Sequence, residues 1–239
     1  AIVDASSDLK LAAKRIAFGK LLNGGQTCVA PDYVLVEESA RDQLIQYFRE
    51  VLEEKFPNGN YADHVRIVSE RHFKQKKALL EGQTIAFGGR VDEAQRTIEP
   101  TVLIDVDPES QVMQEEIFAP ILPVLTWTKL DEAIDFVRSR PEPLALYLFT
   151  SSRDVEKKVL DTCSFGGGCI NDTVVQLANS DLGFGGVGQS GMGSYHGKRS
   201  FDTFTHYRSI VRKSTRLDLP FRYFPYTKKN FRLIRRFLQ

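Results

Sequence analysis

The sequence contains few cysteines, and none of them form a recognisable pair. Cys28, Cys163 and Cys169 are the three cysteines among 239 residues. An odd number without a C-x-x-C spacing argues against both a disulfide framework and a zinc site. Cysteines used this sparingly are typical of a protein that works in a reducing compartment. We therefore expect a cytoplasmic protein without a structural metal.

Long apolar runs are also missing. No stretch of about eighteen apolar residues occurs, so the sequence predicts no membrane-spanning helix. The chain begins Ala1-Ile2-Val3-Asp4, without an initiator methionine or the basic and apolar regions of a signal peptide. We interpret this start as a cut inside a longer protein. Internal repeats and low-complexity linkers are absent as well, and the length allows one sizeable core.

Charge is distributed unevenly along the chain. The net charge is +1, but residues 212–239 hold nine Lys or Arg against one Asp, a net of +8, which leaves residues 1–211 at −7. At helical spacing, one face of this tail is basic and the other is apolar. The basic face comprises Lys228, Lys229, Arg232, Arg235 and Arg236, and the apolar face comprises Phe231, Ile234 and Phe237 or Leu238.

Two interpretations of this tail remain open. It can form an interfacial helix attracted to anionic lipid. It can equally form a helix docked on the acidic body or on a partner subunit. Nucleic-acid binding is not expected, because no recognised nucleic-acid module accompanies the charge.

Strand-like and helix-like segments alternate along the chain. Apolar runs predict strands at 33–36, 84–87, 99–104, 121–127, 144–149 and 168–171. Helical periodicity predicts helices at 8–22, 39–54, 69–82, 130–138 and from Ser151 or Ser152 to Leu160, with Ser39 and Ser69 as caps. Pro57-Asn58-Gly59-Asn60 is a break, and Pro100 confines its strand to an edge or a strand start. This alternation predicts an α/β fold with an open, mostly parallel twisted sheet flanked by helices.

The segment Asn23-Gly24-Gly25-Gln26-Thr27-Cys28 is a polar, glycine-rich turn between a predicted helix and a predicted strand. Its two glycines allow positive φ or a close approach of the backbone to a substrate. Backbone N–H groups beside such a turn can stabilise an oxyanion and activate a thiolate. From the residues alone, Cys28 is either a nucleophile or a small buried apolar residue.

Three ordered motifs resemble those of the aldehyde dehydrogenases, particularly the class-three, fatty-aldehyde-like branch. The first is Gly25-Gln26-Thr27-Cys28-Val29-Ala30-Pro31-Asp32-Tyr33, the family's nucleophile segment. The second, residues 114–120 (QEEIFAP), is similar to its coenzyme-contacting turn. The third, residues 183–193 (GFGGVGQSGMG), is similar to its glycine-rich loop near the aldehyde tunnel. Order and spacing match from about residue 1 to residue 210.

The resemblance implies roles for individual residues. Cys28 would be the nucleophile of an NAD- or NADP-dependent oxidation of aldehydes to carboxylic acids. Glu116 would bond the nicotinamide-ribose hydroxyls, and Phe118 would pack beside the nicotinamide. His196 would touch the aldehyde pocket. Asn171 matches an asparagine that the family uses near the catalytic loop, or it is a simple turn residue.

The resemblance also implies a division of the chain. Residues 1–206 would form the catalytic domain, and residues 207–239 an oligomerisation strand followed by the basic tail. In the family, a segment like Tyr207–Val211 adds to a partner's sheet, so a homodimer is expected. The family's dinucleotide-binding half, oxyanion-hole asparagine and general-base glutamate lie upstream of the matched region. We therefore expect this polypeptide to be inactive alone.

Three other interpretations compete with this one. Gly186-x-Gly188-x-x-Gly191 matches the dinucleotide-binding fingerprint, but it is rejected because no apolar strand precedes it. A cysteine-dependent hydrolase or acyltransferase would pair Cys28 with one of the histidines at positions 64, 72, 196 and 206. A non-catalytic assembly fragment would tolerate the loss of Cys28. His206 lies at the start of a predicted strand.

Overall fold

The computed structural model describes residues 1–59, 61 and 64–237, and its contacts divide the chain into two units, 1–203 and 204–239. Asn60, Leu238 and the side chain of Phe237, which the sequence-based predictions include, lie outside the described part.

The first unit is built on a seven-stranded sheet with the order β3-β6-β7-β2-β1-β8-β9. Neighbouring strands are parallel throughout, except that β3 runs antiparallel to β6 at one edge. A separate hairpin pairs β4 with β5. The strands are β1 (Ile2–Val3), β2 (Val34–Glu37), β3 (Thr84–Phe87), β4 (Val91–Asp92), β5 (Thr97–Ile98), β6 (Thr101–Ile104), β7 (Ile121–Trp127), β8 (Ala145–Phe149) and β9 (Gly167–Ile170).

Helices cover both faces of the sheet. The helices of the first unit are α1 (Leu9–Leu21), α2 (Arg41–Lys55), α3 (Glu70–Ala78), α4 (Leu130–Arg138), α5 (Arg153–Thr162) and α6 (Gly197–Thr203). The second unit contains α7 (Lys228–Phe237). Apolar residues of α1 and α2 pack on one face, and those of α4 and α5 pack on the other. A third apolar cluster joins α3 to β6 and β7. The sheet is therefore buried on both faces, as a parallel sheet requires.

The predicted α/β fold with a mostly parallel sheet is confirmed. The caps at Ser69 and Ser152 are also confirmed, since their hydroxyls accept from His72 N–H and Val155 N–H. Ser39 is not a cap. Its hydroxyl donates to Glu37 Oε1 at 3.3 Å, and a short 3₁₀ turn over Glu38–Ala40 precedes α2.

Some strands were missed or misplaced by sequence periodicity. β1 is only two residues long, too short to show a period, yet it lies inside the sheet between β2 and β8. The strand predicted at 99–104 is β6, which begins at Thr101 directly after Pro100, because proline cannot donate a ladder hydrogen bond. Glu99 and Pro100 lie outside the strand.

In the second unit, residues 204–214 lie outside helices and strands, so the strand predicted to start at His206 does not form within a single chain. A strand needs a neighbouring strand to pair its N–H and C=O groups. A short turn at Pro220–Arg222 precedes α7, and Asp218 pairs with Lys213 and Arg222. Among the described residues, no helix combines the length and apolar character needed to cross a bilayer.

Candidate active site

Cys28 lies on a tight turn that follows α1. Asn23, Gly24 and Gly25 all have positive φ, so the chain leaves the helix through a left-handed segment that glycine favours. The Ala30 N–H then donates to Thr27 O at 2.9 Å, which places Cys28 and Val29 at the centre of a four-residue turn. The Cys28 side chain is exposed, whereas Val29 beside it is buried. The thiol is thus presented on a turn whose neighbouring residue is fixed in the core.

The side chain of Gln26 fixes the amino end of this turn. Its amide nitrogen donates to Asn23 O at 3.1 Å and to Arg66 O at 3.2 Å, and its amide oxygen accepts from Val68 N–H at 3.0 Å. Gln26 therefore joins the turn to the segment before α3. Sequence reasoning gave Gln26 only the role of keeping the turn polar, because partners forty residues away leave no local pattern.

The second motif lies directly against the first. A Cβ at Gly25 would collide with the carbonyl of Ala119, so glycine is required for this approach. Ala119 is fully buried, and the residue with positive φ in this loop is Phe118, at 50°. Alanine is therefore compatible with the position where the resemblance leads one to expect glycine. Phe118 is held in a strained conformation with its ring partly exposed.

Two charged side chains hold the loop that carries Glu116. Lys76 Nζ donates to Glu116 O at 3.1 Å, and Asp32 Oδ1 accepts from Ile117 N–H at 3.0 Å. The Glu116 side chain points outward and is exposed. Partial desolvation raises the pKa of its carboxyl, and the nearby Asp32 carboxylate adds to this effect. The loop backbone is thus fixed while the carboxylate remains available to a ligand.

A buried lysine lies behind this loop. Lys20 is 2% exposed, and its Nζ is 3.9 Å from Asp32 Oδ1 without a hydrogen-bond partner in the described part of the chain. Burial lowers the pKa of Lys20 from 10.5 to about 8. Burial also raises the pKa of Asp32, against the opposing effects of Lys20 and the Ile117 N–H.

Cys28 and Glu116 line the same open cleft, of about 800 Å³. Ser190 from the glycine-rich loop and Tyr147 from β8 line it as well. Glu116 precedes β7, and Cys28 precedes β2, so both residues lie on segments that lead into the amino ends of neighbouring parallel strands. In open α/β sheets, ligands more often bind beyond the carboxyl ends. That general rule would therefore place a ligand at the carboxyl ends of the strands, whereas Cys28 and Glu116 lie at the amino ends.

The glycine-rich loop has the shape of a hairpin whose two ends are hydrogen-bonded to each other. Phe184 and Tyr195 exchange backbone hydrogen bonds of 2.9 Å at its base, and the turn Gly188–Ser190 lies at its tip. No strand precedes Gly186 in the manner of a dinucleotide-binding turn, which agrees with the rejection of that motif. His196 follows the loop, with its ring centroid 4.6 Å from that of Tyr195 and 6.1 Å from that of Phe184.

Asn171 follows β9 at the carboxyl end of the sheet, away from the loop that carries Glu116. Its side-chain amide is occupied by the backbone of Thr150, since Nδ2 donates to Thr150 O at 2.8 Å and Oδ1 accepts from Thr150 N–H at 2.9 Å. With φ at 58°, Asn171 has the conformation and bonding of a turn residue. A role in the substrate pocket stays a prediction.

The comparisons with known proteins agree with these motifs. The model of the aldehyde dehydrogenase family matches residues 1–210. The chain belongs to the aldehyde dehydrogenase family. It is 50% identical to the 4,4'-diaponeurosporen-aldehyde dehydrogenase of Staphylococcus aureus over 242 residues, covering 100% of this chain and 52% of that protein.

Two further similarities extend this finding. The dimeric NADP-preferring aldehyde dehydrogenase of Rattus norvegicus is 47% identical over 214 residues, covering 89% of this chain and 47% of its own length. The solved structure of the substrate-bound Staphylococcus aureus AldH has a TM-score of 0.92 and 51% identity, covering 100% of this chain and 53% of that chain. The chain thus spans about half the length of the curated relatives that it matches.

Sequence reasoning missed four polar residues that build the site: Lys20, Asp32, Lys76 and Gln26. One signal was available. Lys20 falls four residues after Ile16 and three after Ala17, on the stripe of α1 that faces the core. A lysine on such a stripe indicates a buried charge that needs a partner.

Proposed function

We propose that this chain carries the nucleophile of an NAD- or NADP-dependent aldehyde dehydrogenase, with Cys28 as the attacking residue. The observation that supports this proposal is the joining of two motifs. The turn that presents Cys28 packs through Gly25 against Ala119, in the loop that presents Glu116 and Phe118. Substrate and coenzyme would therefore meet at one cleft. No histidine among the described residues hydrogen-bonds to Cys28, so the hydrolase alternative lacks a base.

The chemistry starts with the thiol. The Cys28 thiol loses its proton to solvent, and the thiolate Sγ bonds to the aldehyde carbonyl carbon. One electron pair of the C=O double bond moves to oxygen, which becomes the oxyanion of a thiohemiacetal. The Cys28 backbone N–H, on the turn between Thr27 and Ala30, would donate to that oxyanion. Loss of hydride from the former carbonyl carbon leaves a thioester on Cys28. Water then cleaves the thioester, releasing the carboxylic acid and regenerating the thiol. By resemblance, the carboxylate that activates this water lies upstream.

The residues present fit the nicotinamide end of the coenzyme. The exposed carboxylate of Glu116 would accept hydrogen bonds from the ribose hydroxyls, and the partly exposed ring of Phe118 would pack beside the nicotinamide. When bound, the coenzyme accepts the hydride. Among the described residues, no glycine-rich turn joins a strand to a helix as a pyrophosphate site requires. We therefore infer that the rest of the coenzyme binds outside this chain.

The experiment joins the chain to the part of its Staphylococcus aureus relative that the match does not cover, and it follows NADH or NADPH absorbance with octanal or benzaldehyde. We expect turnover that disappears in Cys28→Ala and persists in Cys163→Ala, a control that removes a buried thiol. Turnover retained by Cys28→Ala would contradict the proposed nucleophile.

We infer that the substrate is an apolar aldehyde. The rings of Phe184, Tyr195 and His196 form an aromatic cluster beside the glycine-rich loop. The name of the Staphylococcus aureus relative, 4,4'-diaponeurosporen-aldehyde dehydrogenase, supports the inference.

We further propose a homodimer, in which residues 207–211 pair with a sheet of the partner. The name of the rat relative, which includes "dimeric", supports this proposal. The segment forms no helix or strand within one chain, and the exposed side chains of Ile210 and Val211 suit strand addition.

Finally, we propose a cytoplasmic protein in peripheral contact with an anionic membrane through α7. Phe231 is 57% exposed and Leu233 is also exposed, on the apolar side of a helix whose other side carries five basic residues. None of these five forms an ion pair among the described residues. Such a helix lies in the lipid interface with its apolar side inserted. The three free cysteines suit a reducing compartment.

A further inference from the structure

A series of three hydrogen bonds ends on the carbonyl oxygen of Val29, the residue that follows Cys28. The Tyr147 hydroxyl lies 2.6 Å from the carbonyl oxygen of Val29, and 3.2 Å from the Gln176 amide nitrogen. Gln176 Oε1 in turn lies 3.0 Å from the Cys169 sulfur. These three hydrogen bonds link β8, β9 and the 3₁₀ turn Val175–Ala178 to the Cys28 turn.

The direction of all three hydrogen bonds follows from the last acceptor in the series, Val29 O. A carbonyl oxygen can only accept, so the Tyr147 hydroxyl donates to Val29 O. The hydroxyl oxygen then accepts from the Gln176 NH₂ group. The remaining amide oxygen of Gln176 accepts from the Cys169 thiol. The Cys169 thiol, the Gln176 amide and the Tyr147 hydroxyl each donate one of these hydrogen bonds. No alternative arrangement of hydrogens satisfies all three contacts.

The donors keep their protons throughout the neutral range. Burial raises the pKa of the Tyr147 hydroxyl to about 12, and burial also raises the pKa of the Cys169 thiol. Tyr147 is 2% exposed and pairs in register with Cys169 on the adjacent strand. The series of hydrogen bonds is therefore anchored in two adjacent strands of the sheet, β8 and β9.

We propose that Tyr147 is a positioning residue for Cys28, held in place by Gln176 and Cys169. Cys28 and Val29 are the two central residues of the turn closed by Ala30 N–H and Thr27 O. Gln26 and Gly25 fix the amino side of that turn, and Tyr147 fixes its carboxyl side through Val29 O. With both sides held, the Cys28 N–H keeps one orientation. This inference deepens the proposed function and depends on it for its catalytic consequence.

The first test measures hydrogen exchange and uses neither aldehyde nor coenzyme. In the 239-residue chain, Tyr147→Phe removes only the hydroxyl. We expect amides of residues 26–30 to exchange on the order of tenfold faster, because the turn loses a buried bond and opens more often. Tyr47→Phe is the matched control, since Tyr47 is half-buried against the same apolar cluster without a described hydroxyl bond, and it should leave exchange at residues 26–30 unchanged.

Further variants test each link. Gln176→Leu removes the donor to Tyr147 and should accelerate exchange of the same amides, which keeps the test available if Tyr147→Phe folds poorly. Cys169→Ala should have a smaller effect in the same direction. Cys169→Ser keeps a donor and should exchange like the wild type. Unchanged exchange at residues 26–30 in both Tyr147→Phe and Gln176→Leu would overturn the proposal.

The catalytic consequence is tested in the extended protein described above. Tyr147→Phe should lower kcat about tenfold and leave the aldehyde KM within about twofold, because an oxyanion donor acts mainly in the transition state. A changed KM with an unchanged kcat would overturn the assigned role. If the wild-type extended protein shows no turnover, the proposed function fails, while the exchange result still decides whether Tyr147 holds the turn.

Discussion

At the scale of single residues, the buried Lys20 gives the site a pH-dependent stability. The lowered pKa means that, between pH 8 and 10.5, the unfolded chain binds a proton at Lys20 that the folded chain does not bind. Stability must therefore rise with pH across that window. Relative to Lys20→Met, the free energy of unfolding of the wild type should increase by about 3 kcal/mol between pH 8 and 10.5.

Urea unfolding of both proteins at pH 7.5, 9 and 10.5 measures this difference. Lys14→Met, which removes an exposed lysine from the same helix, is the control and should differ from the wild type by a constant amount. A constant difference between wild type and Lys20→Met would show that burial does not disfavour the charged ammonium form of Lys20.

Glu116 can be tested against its neighbour. Glu116→Gln in the extended protein should raise the coenzyme KM about tenfold, because a charge-assisted hydrogen bond to the ribose is weakened. Glu115→Gln makes the same change at an exposed carboxylate one residue earlier and should leave KM within about twofold. Initial rates at varied NAD and NADP measure both. Equal effects in the two variants would assign the loss to overall charge rather than to Glu116.

At the scale of elements, α7 is the segment whose surroundings most need testing. We expect the chain to sediment with vesicles containing phosphatidylglycerol and not with pure phosphatidylcholine vesicles, and to release as salt rises. Replacing Lys228, Lys229 and Arg232 by Gln should abolish sedimentation. Replacing Arg208, Arg212 and Arg216 by Gln removes the same charge outside the helix and should reduce it less. Absence of sedimentation by the wild type would favour docking on a protein surface.

The segment at 207–211 makes a second prediction at this scale. Ser209→Pro removes a backbone donor from the centre of the proposed strand and should convert a dimer to a monomer. Thr215→Pro, outside the segment, is the control. Light scattering at micromolar concentration measures the mass of each. A monomeric wild type would remove the basis for this assembly.

The helices and strands also show how much of the fold can be predicted from the sequence. α1, β7 and β8 follow from their periodicity, because the apolar pattern is set by the faces they bury. The two-residue strand β1 could not be predicted, because its place in the sheet depends on pairing with residues 34–37 and 145–149. The same limit applies to the site. A motif identified Cys28, whereas the hydroxyl that reaches Val29 O comes from a residue 118 positions away.

At the scale of the whole molecule, the proposed function makes this chain one side of a reaction centre. Its sheet holds the Cys28 turn, the Glu116 loop and the glycine-rich loop around one cleft, and the matched relatives are about twice as long.

The most direct test of this account measures thiol labelling and coenzyme reduction on the same 239-residue chain. We expect iodoacetamide to label Cys28 before the buried Cys163, as followed by peptide mass spectrometry, with no absorbance of NADH or NADPH in the presence of octanal. That result would mean a formed nucleophile site that needs further protein to complete the reaction. Turnover that vanishes in Cys28→Ala would contradict the assignment of the base and most of the coenzyme site to another segment, and labelling of Cys163 before Cys28 would contradict the site itself.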